Sequence, residues 1–138
     1  MSADALLSRL EHVRQTAPDR WVSRCPSHED HRPSLAIRLL DGDRLLLHCF
    51  AGCSVHEVVD ALGLCLSDLF PSGSLGEFKR ERRPFSASEI LRCIALEALI
   101  TALSAVRLSR GEVLSEETRA RLLIASGRLQ SALEVANG

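Results

Sequence analysis

No apolar run in this 138-residue chain approaches the roughly 18 residues that a membrane-spanning helix needs, so no membrane partner is expected. No charge of one sign dominates either: 17 basic residues face 18 acidic ones, for a formal net charge of −1. A global basic field pulling the chain onto nucleic acid is thereby excluded, and any such binding has to come from local patches. The continuous apolar core of a signal peptide is missing too, because the opening residues carry Asp4, Arg9, Glu11 and His12. There is no internal repeat. The expected location is cytoplasmic, where disulfides are rare and clustered Cys and His more often mean metal. The cysteines number five, which does not suit complete pairing.

What is present is an ordinary globular composition, 46% apolar and 25% charged, so the chain should fold rather than stay disordered. Leu6, Leu7, Leu10 and Val13 recur at helical spacing after Ser2, which predicts a helix over 2–16 that Pro18 ends. Apolar runs at 34–40 and 44–49 flank Asp41-Gly42-Asp43, a hairpin signal with favoured turn chemistry. Ser54 and Glu57 form a capping box that opens a helix carrying Val55, Val58, Val59 and Leu62 and stopping near Gly63. Residues 71–85 change character: Pro71, Gly73, Gly76 and Pro84 punctuate a basic linker. Ser86 and Glu89 form a second capping box for a long helix to about Arg110, stopped by Gly111. Ser115 caps a last helix running to about Val135.

The chemistry sits at two tight turns. Cys25-Pro26-Ser27-His28 is C-x2-H; twenty residues later Cys49-Phe50-Ala51-Gly52-Cys53 is C-x3-C. Structural zinc takes four ligands in a tetrahedron, supplied as two short-spaced pairs, and a hairpin returns both pairs to the same end. Gly52 allows the second turn to close without a Cβ clash. Four filled positions make a closed, structural site, and the fold around it should depend on metal. His31 is the alternative to His28, at the cost of a longer turn. His48 directly precedes Cys49 on the strand and should face the other way. His12 and His56 read as solvent-facing helix residues, and Cys65 and Cys93 as small core residues.

The run Cys25-Pro26-Ser27-His28-Glu29-Asp30-His31-Arg32-Pro33-Ser34-Leu35, followed by His48-Cys49-Phe50-Ala51-Gly52-Cys53, resembles the Cys-His-Cys-Cys zinc-binding domain of bacterial and phage DNA primases. In that family a C-P-x-H knuckle, a P-S-[LF] segment starting a strand, and a C-F-x-G-C or C-F-G-C knuckle follow in this order. The resemblance covers roughly 20–65 and includes residues that are not ligands. The second knuckle is one residue longer than cellular primases usually have, and closer to those of phages and mobile elements. The resemblance implies one structural zinc ion on Cys25, His28, Cys49 and Cys53. It also implies a module that helps recognise a single-stranded template. A primase further needs clustered carboxylates holding magnesium ions, and nothing after residue 65 offers them. The chain is therefore not expected to be an enzyme.

The expected fold is α+β: a zinc ribbon on a small antiparallel β-sheet with flanking helices, followed by a C-terminal α-helical hairpin. The expected organisation is a primase-like zinc-binding domain over 1–70, a basic linker over 71–85 and the helical hairpin over 86–138. Candidate phosphate contacts are Arg24, Arg32, Arg38 and Arg44, with His48, Trp21 and Phe50 as candidate stacking groups, although Trp21 reads first as core. Lys79, Arg80, Arg82 and Arg83 add a second basic cluster. Residues 20–64 hold five arginines against six carboxylates, so affinity from this surface should be modest and salt-sensitive. The expected partners are single-stranded DNA, a separate polymerase, primase or helicase, and a second copy of the chain through the C-terminal helices. The helix over 87–110 is apolar on more than one face, so its surplus must pack on the ribbon or on another protein. The competing function is a protein-interaction adaptor whose zinc is scaffolding only.

Overall fold

The computed structural model describes residues 1–70 and 84–138. Its fold is α+β, with a four-stranded antiparallel sheet in the order β1-β2-β3-β4. The strands are β1 (Arg14–Ala17), β2 (Arg20–Ser23), β3 (Leu35–Leu40) and β4 (Arg44–Cys49). Helix α1 (Ala3–Leu7) precedes them; α2 (Val55–Ala61) and a 3-10 turn (Leu66–Leu69) follow. Then come α3 (Ala87–Cys93), α4 (Ala95–Ser109) and α5 (Glu116–Asn137). Among the described residues, no helix is long and apolar enough to cross a membrane.

The central hairpin follows its sequence signal. Leu40 pairs with Arg44, leaving Asp41-Gly42-Asp43 as the loop. Gly42 (φ 75°) and Asp43 (φ 55°) take the left-handed conformation that these residue types tolerate best. Both capping boxes form: the Glu57 amide donates to Ser54 Oγ at 3.3 Å and the Ser54 amide to the Glu57 carboxylate at 2.6 Å. At α3 the Ser86 amide donates to Glu89 at 2.8 Å, and Ser115 caps α5 through the Thr118 amide at 3.2 Å.

Four expectations are corrected. The helix over 2–16 ends at Leu7, and Arg14–Ala17 is an edge strand. The apolar stripe that suggested a long helix buries fully only at Leu6; Val13 is 36% exposed. Pairing of Gln15 with Trp21, around a Pro18-Asp19 turn with Asp19 at φ 60°, wins over the weak helical preference of this stretch. His12 accordingly sits in a left-handed turn (φ 53°) rather than on a helix. The helix over 87–110 bends at Ile94 into α3 and α4, yet keeps the bonds from the Ile94 amide to Ile90 and from the Ala98 amide to Ile94. Finally, Cys65 is exposed at the head of the 3-10 turn, while Cys93 is buried as expected.

Strand alternation gives the sheet two apolar faces. Leu35, Ile37, Leu45 and Leu47 on one face pack with Leu6 of α1, Val58 and Val59 of α2, and Leu69, with Trp21 at the margin. Val22 and Ala36 on the other face, together with Phe50, meet Phe85, Ile90 and Cys93 from the α3 region and Ala132 of α5. The sheet is thus covered on both sides, and each buried aliphatic side chain contributes roughly 1.5–3 kcal/mol. The second layer is tied down by Glu89, 1% exposed, whose carboxylate accepts from Arg20 Nη1 at 2.9 Å and from Thr16 Oγ1 at 3.1 Å. Helices α4 and α5 are clasped by Glu97, which accepts from Arg121 (2.8 and 3.1 Å) and Arg128 (2.8 Å). The tail therefore does pack on the ribbon, but not all of its apolar surface is used: Leu99, Leu103, Val106 and Leu108 of α4 remain 41–56% exposed.

Candidate metal centre

Strands β2 and β4 end at the same end of the sheet, one on each side of β3, whose Leu35 pairs with both Ser23 and Cys49. Two residues past Ser23 the chain reaches Cys25; β4 closes on Cys49 itself. Each strand runs straight into a tight turn, and the turns deliver His28 and Cys53 to the same end of the sheet. The ligand atoms of Cys25, His28, Cys49 and Cys53 all lie within 4.8 Å of one another, a cluster that could hold a metal ion. His28 presents Nδ1, which is 3.2 Å from Cys53 Sγ and 4.0 Å from Cys49 Sγ. The choice between His28 and His31 is decided here: the His31 side chain is 79% exposed and faces Glu29 instead. In the second turn Gly52 adopts φ 101°, which a residue with a Cβ enters only under strain.

The sulfur environments differ. Hydrogen bonding from the Cys25 thiol holds the Cys49 thiol down to about 5; burial opposes this, and the Cys53 and Ala51 amides and the Ser34 hydroxyl reinforce it. The same interaction with Cys49, together with burial, pushes the Cys25 thiol well up, and burial raises Cys53. Of the three thiols, Cys49 is the one whose surroundings favour the thiolate. A bound cation would have to expel the remaining thiol protons, which makes metal affinity pH-dependent.

Sequence reasoning missed Asp30, having read 29–33 simply as a polar loop. Its carboxylate accepts from the Cys25 amide at 2.9 Å, the Ser34 hydroxyl at 2.5 Å and the Arg32 amide at 3.3 Å, and it lies 3.7 Å from His28 Nε2. One short carboxylate thus closes the first knuckle and faces the imidazole nitrogen turned away from the cluster. Ser34, whose hydroxyl donates to Asp30, stands 3.5 Å from the same nitrogen, so Asp30 is placed to act on the histidine as outer carboxylates act on metal-binding histidines. An Asp two residues after a ligand His was the available signal.

The candidate DNA contacts do not gather into one patch. Arg24 and Arg32 lie by the first knuckle; Arg24 donates to the His31 carbonyl at 3.3 Å, and Arg32 is exposed. Arg44 lies at the other end of the sheet, donating to the Asp41 carbonyl at 3.2 Å. Arg38, half-buried, donates to the Pro84 carbonyl at 2.8 Å. His48 does face away from the cysteines; its ring packs against Phe50 (centroids 4.5 Å) and Phe85 (5.8 Å), and burial lowers its pKa. Phe50 is buried and Trp21 half-buried against the first core. Lys79, Arg80, Arg82 and Arg83 fall outside the described residues.

Comparison of the chain with protein-family models, with curated proteins and with solved structures finds no match.

Proposed function

We propose that the chain is a zinc-dependent single-stranded-DNA-binding accessory of primer synthesis and DNA replication, acting with a separate polymerase, primase or helicase. The observation that carries the reading is the four-residue cluster of Cys25, His28, Cys49 and Cys53 at the end of an antiparallel hairpin. The residues between these ligands also follow the primase zinc-domain pattern. Three thiolates and one imidazole suit zinc, the borderline-soft ion that takes tetrahedral sulfur and nitrogen ligands. Bonds of about 2.0–2.3 Å imply donor separations of roughly 3.3–3.8 Å, and the 3.2 and 4.0 Å separations around His28 bracket that range. With four protein donors the sphere is closed, so the role proposed for zinc is structural and no catalytic step is assigned to it.

A second reading, an adaptor that binds protein and not DNA, draws on the same structure. Arg38 and His48 have partners within the chain, and the outer face of α4 carries exposed leucines that suit a protein partner or a second copy. Titration of a labelled single strand with zinc-loaded protein at low and moderate salt separates the two. Salt-sensitive binding supports the accessory; no binding at micromolar protein rejects it in favour of the adaptor.

A further inference from the structure

A cleft of about 440 Å³ opens between the second knuckle and α5. One wall is the turn Ala51-Gly52-Cys53; the other is formed by Ile124, Gly127, Arg128 and Ser131. Gly127 lies inside a 22-residue helix, where glycine costs about 1 kcal/mol relative to alanine. Among the described residues nothing requires it: its backbone is helical, and a Cβ built there meets no atom within 4 Å. A helix-interior glycine that serves neither a turn nor a neighbouring side chain suits an occupant that approaches the helix backbone closely.

The wall chemistry narrows the occupant. Among the described residues no carboxylate lines the cleft. Arg128 and Arg121 share the single carboxylate of Glu97, so this group of three side chains beside the cleft carries one more positive charge than negative. Ser131 is exposed beside it and offers a hydroxyl, and Ile124, 49% exposed, offers an apolar surface. The opposite wall carries the sulfurs of Cys49 and Cys53, so an anion is steered toward α5. The volume falls within the roughly 300–1,000 Å³ of small-ligand sites.

We propose that this cleft seats one nucleotide of a single strand, with its phosphate at Arg128 and Ser131 and its base between Ile124 and the knuckle. The proposal rests on the DNA-binding reading and moves its central contact from the ribbon arginines to the seam between ribbon and helix.

The test is Gly127→Leu in the full zinc-loaded chain, read by fluorescence anisotropy of a labelled ten-nucleotide oligothymidylate. Leucine favours the helix more than glycine does, and the space around residue 127 is open. Zinc stoichiometry and thermal midpoint verify the fold, and Ser131→Leu fills the same cleft independently. Ser126→Leu is the control: it alters the neighbouring exposed position, which does not line the cleft. Both filling variants should weaken binding by about tenfold or more, the scale of one lost base contact, while Ser126→Leu binds as the unsubstituted chain does. Undiminished binding by both filling variants, or an equal loss in Ser126→Leu, overturns the cleft and leaves the DNA reading standing. An unsubstituted chain that binds no single strand overturns both.

Discussion

Arg20 and Glu89 are 69 residues apart in the chain, and their side chains meet at 2.9 Å where the sheet touches α3. Glu89 also accepts from the Ser86 amide, so a single carboxylate caps α3 and fastens it to β2. Burial opposes its charge, but the Ser86 amide and hydroxyl, Arg20 and Thr16 outweigh burial and keep its pKa below the usual carboxylate value. A depressed carboxylate contributes stability above its unfolded pKa and loses it as pH falls through the folded value. Glu89→Gln should therefore be clearly less stable at pH 7, by about 2 kcal/mol, less than the roughly 3–5 kcal/mol of a fully buried pair because Arg20 is partly exposed. The gap should narrow as pH drops below about 4. Urea unfolding of both proteins across pH measures this; a gap independent of pH would rule out the ion pair as its source.

Metal removal should unfold the ribbon. Zinc-binding free energy in small modules of this kind is folding free energy, and the cluster holds together the ends of β2 and β4. One zinc per chain is expected by metal analysis. Strong chelator should erase the strand signal in far-UV circular dichroism, and readdition of zinc should restore it. Cys49→Ala and Cys25→Ala should each abolish stoichiometric binding. A chain that keeps its strands in chelator would refute the structural role of the metal.

Asp30 should govern how long the metal stays. Its bonds to the Cys25 amide and Ser34, and its position 3.7 Å from His28 Nε2, hold a ligand-bearing turn in shape. Loss of such an orienting carboxylate typically costs 10–100-fold in affinity. Asp30→Ala should still bind one zinc at neutral pH but release it about 10–100-fold faster to a chromogenic chelator, while Asp30→Asn, which keeps an acceptor oxygen, should lie between. Release at the unsubstituted rate would show that Asp30 has no hold on the site.

Arg32, exposed beside the first knuckle, tests the electrostatic share of the proposed DNA binding. Arg32→Ala should weaken single-strand binding several-fold and lower the slope of log K against log salt by about 0.7, the value for one phosphate contact. Stability should change by less than about 0.5 kcal/mol, as is usual for surface positions. Arg38→Ala should instead lower stability as well, because it also breaks the 2.8 Å bond to the Pro84 carbonyl. An unchanged salt slope in Arg32→Ala would remove Arg32 from the interface.

Features carried by a few neighbouring residues were legible in the sequence. The Asp-Gly hairpin, the capping boxes at Ser54 and Ser86, and the C-x2-H and C-x3-C turns all formed as read. Each is specified over a few neighbouring residues, by cap side chains bonding to backbone amides at Ser54 and Ser86 and by turn-forming residues at Gly42, Asp43 and Gly52, so no distant partner can easily override it. The edge strand β1 escaped because Leu6, Leu7, Leu10 and Val13 imitate a helical stripe, and only Leu6 finds a full partner in the core. Asp30 escaped because its role depends on where the Cys25 amide and the His28 ring point once the knuckle has closed.

By itself, then, the sequence determined the local geometry of both knuckles and the residues they offer to a metal. The tertiary structure decided which histidine joins the cysteines, and that Arg20 would meet Glu89. It also decided that His48 would pack against two phenylalanines, and that a cleft would open against Gly127. The physical reason is range: turn chemistry acts over a few bonds, whereas burial and ion pairing depend on which distant surfaces the sheet brings within reach.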